Sequence, residues 1–168
     1  MPRLSASSQH RIRFTLNGRL VSGFAEPRML LSDFIRHVIG ATGTHVGCEH
    51  GVCGACTVLV EGAPVRSCLM FAVQADGKEI RTVEGLAPPT RLSPLQNAFR
   101  DNYGLQCGFC TPGILMSLDA LLRDRPDATE PEIREVLSGH LCRCTGYGSI
   151  VKAALAAARR LREESPHA

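Results

Sequence analysis

Eight cysteines, divided four and four, constrain this chain more than any other feature of it. Cys48, Cys53, Cys56 and Cys68 lie in the first half, and Cys107, Cys110, Cys142 and Cys144 in the second. The first ten residues, MPRLSASSQH, carry no apolar segment of a secretory signal. No stretch approaches the ~18 continuous apolar residues of a membrane span. A cytoplasmic location without direct membrane insertion is expected, and thiols there stay reduced. Metal ligation is therefore the expected use of the cysteines. The net charge of +3, with both signs interspersed, gives no footprint for nucleic acid.

The first quartet is spaced C-x4-C-x2-C, with Cys68 a further eleven intervening residues on. This is the spacing of plant-type [2Fe–2S] ferredoxins. Gly47, Gly51 and Gly54 crowd the same turn. Glycine permits the unusual dihedrals that let a backbone curl around a small cluster and aim N–H groups at its sulfurs. The second quartet, CGFC and CRC, reads as two inter-helix turns facing each other. Four soft ligands there suit an iron–sulfur cluster or a zinc ion, although C-x-C is a less usual zinc spacing.

The halves also differ in pattern. RIRFTLNGRLVSGFA alternates about Asn17-Gly18 and TVLVEGAPV about Glu61-Gly62, which predicts two hairpins. MLLSDFIRHVIG predicts a helix with Leu30, Leu31, Phe34, Ile35, Val38 and Ile39 on one face, stopped by Gly40. KEIRTVEGL supplies a further strand. A mixed sheet with one packed helix is expected over 11–86, after a disordered tail at 1–10. Beyond the prolines of LAPPTRLSP no strand pattern occurs. Four helices are expected in a second domain at 87–163, before a tail at 164–168. Pro94 lies in the first turn of the first, Thr111 caps the second ahead of Pro112, and Thr129 with Glu132 caps the third. The fourth opens at Ser149. The fold class is thus α+β. Each half has roughly 75–80 residues, a size at which a metal staple supports a marginal core.

GCEHGVCGACTV, SCLMFAVQADG, GLQCGFCTPG and HLCRCTGYGSIVKA together resemble the small iron–sulfur subunit of the molybdenum hydroxylases, the xanthine oxidase family, including the small subunit of carbon monoxide dehydrogenase. The resemblance covers about residues 11–163. It implies a β-grasp plant-type ferredoxin domain, then an all-α four-helix domain, with a [2Fe–2S] cluster in each. It implies an electron-transfer subunit of a molybdopterin-dependent oxidoreductase. Electrons would pass from a molybdopterin site on a large subunit, through the helical-domain cluster and then the ferredoxin cluster, to FAD on a medium subunit. The molybdopterin is often the cytosine dinucleotide form in such enzymes, and the assembly a dimer of heterotrimers. Gln106, and Cys144 besides its iron, are implied to contact the pterin. No ligand position departs from the pattern. Glu49 and His50 fill positions after Cys48 where family members vary.

A zinc-stapled interaction module and a stand-alone two-cluster ferredoxin are the competing readings. A Rieske centre would exchange two cysteines for histidines, but both quartets are complete, so His45, His50 and His140 are expected as loop residues or partner contacts. No nucleophile–base pair or paired-carboxylate motif occurs, so substrate chemistry is not expected on this chain. Each oxidised cluster with four thiolates adds about −2, which turns the formal +3 into roughly −1. ARRLREE is expected as a solvated helix end, and Phe109 and Tyr147 as cluster shields, partner contacts or plain packing.

Overall fold

The computed structural model describes residues 5, 6 and 8–164. Strand β1 (His10–Leu16) turns into β2 (Arg19–Ala25) through Asn17 and Gly18, at φ +50° and +78°. Positive φ at both central residues defines the tight turn whose twist matches the strands. Asn17 does more than turn. Its side chain accepts from the Thr82 N–H and donates to the Thr82 hydroxyl, both at 2.9 Å, fastening the hairpin to the end of the domain. β3 (Thr57–Val60) and β4 (Ala63–Arg66) repeat the geometry at Glu61 and Gly62, and β5 is Glu79–Arg81. The sheet order is β2-β1-β5-β3-β4, with β1 and β5 parallel and the other pairs antiparallel.

β1 sends Ile12, Phe14 and Leu16 to the core at every second position, as strand alternation demands. The core is completed by helix α1, which runs as α over Leu31–Asp33 and as π over Phe34–Val38. Phe14 and Phe34 meet as a tilted ring pair 5.8 Å apart, worth about 0.5–1.5 kcal/mol beyond burial. The π turn corrects the expected helical face. Ile39 N–H bonds to Phe34 O, five residues back, so the stripe phased for 3.6 residues per turn drifts. Leu31, Phe34 and Ile35 are buried, while Val38 is 41 % exposed.

The irregular segment 86–93 leads to α2 (Pro94–Asp101), α3 (Thr111–Asp124), α4 (Glu130–Ser138) and α5 (Gly148–Glu164). Ser93 caps α2 by accepting from the Gln96 N–H, and the Gln96 side chain accepts from the Ser93 N–H in return. Cys110, not Thr111, is the N-cap of α3, so Thr111 is already helical and its hydroxyl is free for other use. α5 opens one residue before Ser149. Its alanines Ala153, Ala154 and Ala157 lie in the core beside Phe99, Ile114, Leu118 and Ile133. The α5 arginines are not simply solvated: Arg160 pairs with Asp101 of α2 at 3.0 Å, and Arg162 donates to Pro126 O at 3.1 Å. Arginine's long stem lets an exposed head reach such partners.

Strand β1 reaches into the stretch 1–10 read as a tail, and Glu164 closes α5. Residues 1–4, 7 and 165–168 lie outside those described. The two hydrophobic cores are separate. They are joined where α3 covers the second face of β3, which is buried along its whole length.

Candidate metal centres

The first quartet is gathered by a glycine-rich loop between α1 and β3 and by the turn Ser67–Leu69 after β4. Glu49, Gly51 and Gly54 all take positive φ there. This curls the loop so that the amides of His50 and Cys53 point at Cys48 Sγ, at 3.5 and 3.4 Å. Those amides, Cys53 first, pull the Cys48 thiol down to about 6. Burial pushes Cys53 up, and burial with the neighbouring Cys56 sulfur pushes Cys68 to about 12. The sulfurs of the quartet act on one another, Cys48 on Cys53 and Cys56 on Cys68 among them. Cys56 and Cys68 are buried, whereas Cys48 and Cys53 are part-exposed.

The second quartet lies where three helices converge. Cys107 and Cys110 precede α3, and Cys142 and Cys144 occupy the turn between α4 and α5. Here Cys144 acts on the Cys107 thiol and Cys142 on the Cys110 thiol. Cys110 is buried and its thiol is pushed to about 12, by burial first and then by Cys142. Burial would raise Cys142 as well, but the Thr145 hydroxyl at 3.1 Å and amide at 3.5 Å bring it below its ordinary value. The Cys107 side is exposed, so helix ends do not bury this centre on all sides. Gln106 is exposed beside it, and so are Tyr103, Leu105 and Phe109.

All eight thiols are free and none is spent in a disulfide. The residues suit two-iron clusters, in which each iron takes two thiolates. The Thr111 hydroxyl beside Cys110 is buried without a partner among the described residues, a donor that a cluster sulfur would satisfy. Other side chains hold the frame. Tyr147, at φ +67°, accepts the Cys142 N–H at 2.8 Å and donates to His140 O at 3.0 Å. It fixes the turn rather than shielding it.

His140 is 2 % exposed and bonds through Nε2 to Ser117 Oγ at 2.8 Å, so it is an interior residue and not a loop contact. Burial, and then the Arg66 charge, hold it down at about 4. His45 stacks on Phe109 at 5.0 Å and its Nδ1 bonds Phe109 O at 2.9 Å. Sequence reasoning did not single out Arg66, Ser117 or Thr145. An arginine two residues before a ligand-spaced cysteine was the available signal for the first of these.

The fold and the two thiol quartets define a two-centre iron–sulfur electron carrier. A model of the 2Fe-2S iron-sulfur cluster binding domain matches residues 14–87, and a model of the [2Fe-2S] binding domain matches residues 82–155. The chain is 56 % identical over 149 residues to caffeine dehydrogenase subunit gamma of Pseudomonas sp. (strain CBB1), covering 87 % of this chain and 89 % of that one. It is 52 % identical over 151 residues to the nicotine 6-hydroxylase small subunit of Paenarthrobacter nicotinovorans, covering 90 % and 91 %. It superposes on a chain of quinoline 2-oxidoreductase from Pseudomonas putida 86 with a TM-score of 0.89 and 50 % identity, over 94 % of this chain and 98 % of that one. The chain belongs to the small iron–sulfur subunits of the molybdenum hydroxylase, or xanthine oxidase, family. It is an electron-transfer subunit with two [2Fe–2S] clusters, and this answers the choice between iron–sulfur and zinc at the second quartet.

Proposed function

We propose that Cys48, Cys53, Cys56 and Cys68 hold one cluster and Cys107, Cys110, Cys142 and Cys144 the other. The gathering of four ligand-spaced cysteines, none spent in a disulfide, at each of two separate sites carries this assignment. In the first site Cys48 and Cys53 take one iron, Cys56 and Cys68 the other. In the second, Cys107 pairs with Cys144 and Cys110 with Cys142. The clusters, when bound, supply one-electron steps between a molybdopterin centre on a large subunit and FAD on a medium subunit. The chain's own part is to set those steps. Amides aimed at Cys48 and Cys142 stabilise negative charge on sulfur, which raises reduction potential.

The exposed surface of Tyr103, Leu105, Gln106 and Phe109 around Cys107 is the face proposed to meet the large subunit, with Gln106 and Cys144 toward the pterin. Apolar exposure of this kind marks a docking surface. The assembly is proposed as a dimer of heterotrimers in the cytoplasm. Among the described residues no helix is long and apolar enough to cross a membrane. The proposed substrate of the complex is a nitrogen heterocycle. Relatives at 50 % identity or more bear the names caffeine dehydrogenase, nicotine 6-hydroxylase and quinoline 2-oxidoreductase.

The test is a metal analysis of the complex that co-purifies with this chain. About four irons per chain, with molybdenum and flavin on companion chains, is the expected result. Zinc in place of iron would sink the ligand assignment, and iron without companion chains would favour a free-standing ferredoxin.

A further inference from the structure

The seam between the two halves is built from the cysteine loops themselves. Leu141 N–H donates to Cys53 O at 3.0 Å, one residue from Cys142 at one end and on a first-site cysteine at the other. A Cβ on Gly113 at the start of α3 would stand 2.2 Å from Gly54 O, so helix and loop touch backbone to backbone. Among the described residues the two hydrophobic cores remain separate clusters, and the halves meet where buried Leu59 of β3 and Met116 of α3 lie on the packed faces. Directional polar contacts add a register to that packing.

Arg66, the last residue of β4, makes one of them, and two further bonds within its own half. Its Nη2 donates to Gly139 O at 2.6 Å, where α4 ends and the turn to Cys142 begins. Its Nε donates to Gly51 O at 3.4 Å, inside the first cysteine loop. Its Nη1 donates to the Thr57 hydroxyl at 2.5 Å, which in turn donates to Gly54 O at 2.6 Å. One guanidinium thus reaches both cysteine loops. Only a planar fork with several donors in fixed directions can hold three acceptors on different segments at once; a lysine ammonium keeps the charge but not the fork.

We propose that Arg66 is a positioning residue that locks the first cysteine loop against the turn carrying Cys142 and Cys144. In doing so it keeps the Leu141–Cys53 hydrogen bond closed and sets the spacing of the two centres. Its fixed positive charge beside the Gly51–Gly54 loop also favours the reduced form of the first centre. The proposal rests on the ligand assignment given above.

The complex is purified with its companion subunits as wild type, Arg66→Met, Arg66→Lys and Thr57→Val. Iron is counted, and low-temperature EPR spectra are recorded during stepwise reduction. Wild type is expected to show two [2Fe–2S] signals that split one another at full reduction. Failure to show two signals would overturn the ligand assignment, and this proposal with it. Arg66→Met is expected to keep its iron, to lose or reduce the mutual splitting, and to shift the first centre to a lower potential. Arg66→Lys should restore the potential but not the splitting. Thr57→Val, which keeps the guanidinium and its bond to Gly139, should change the splitting in the same direction by less. Wild-type splitting in an iron-replete Arg66→Met complex would overturn the proposal. So would loss of iron in both Arg66 variants together with an unchanged Thr57→Val spectrum, which would make Arg66 a folding residue only.

Discussion

Gly54 carries two demands at one Cα. Its φ of +74° excludes most side chains, and a Cβ would lie 2.4 Å from His140 Nδ1 and 2.6 Å from Gly139 O. Gly54→Ala should therefore cost about 2–5 kcal/mol, from left-handed strain and overpacking together, read as a fall in the midpoint of thermal unfolding of the iron-loaded chain. Gly113 sharpens the argument because its helix would favour alanine by about 1 kcal/mol. The 2.2 Å approach to Gly54 O, a backbone atom that cannot swing aside, decides the sign. Gly113→Ala should destabilise, whereas Gly148→Ala, with nothing within 4 Å, should be near neutral. Both glycines are helical, so their different responses separate packing from propensity. Gly51 and Gly54 were legible in the sequence as loop formers. That Gly54 must also admit His140 was not, since they lie 86 positions apart in the chain.

The helix ends are where local sequence speaks most directly. Ser93→Ala should cost about 1 kcal/mol, because the Gln96 N–H loses its acceptor. At α4 the Glu132 carboxylate accepts from the Thr129 N–H and hydroxyl, both at 2.7 Å, and these bonds hold it below the usual carboxylate range. A folded value below the unfolded one adds stability above the unfolded pKa, and the gain is lost as pH falls through the folded one. Glu132→Gln should thus be less stable than wild type at neutral pH, with the gap closing in acid; equal melting points at neutral pH would count against the cap. The capping residue Thr129 and the turns Asn17-Gly18 and Glu61-Gly62 were legible, since each is a contract between neighbours in sequence, whereas Ser93 was passed over beside Pro94. The π turn of α1 was not. The pattern of Leu31, Phe34 and Ile35 suits an ordinary helix, and only the packed position of the chain adds the extra residue to the turn.

At the scale of the whole molecule, the metal centres and the fold support each other. Cys144→Ser should remove the helical-domain cluster and halve the iron of the chain. It should also disconnect the proposed molybdenum site, so normal electron transfer from substrate to flavin in this variant would refute the assignment. Stripping both clusters should lower the unfolding temperature of both halves, because binding free energy at such sites is folding free energy. Circular dichroism before and after chelation reads that loss.

The sequence by itself determined the two quartets and the order of strands and helices, because ligand spacing, turn chemistry and apolar period act over a few residues. It left Arg66 unassigned and placed His140, His45 and Phe109 only as loop residues, partner contacts or packing. These residues act between loops 60 to 90 positions apart, and their roles exist only once α3 lies on β3 and brings the Gly54 loop to Gly139. Which side of each centre is open was decided there as well. Cys56 and Cys68 close against the sheet, while Cys107 is left facing outward, and no spacing of cysteines records that difference.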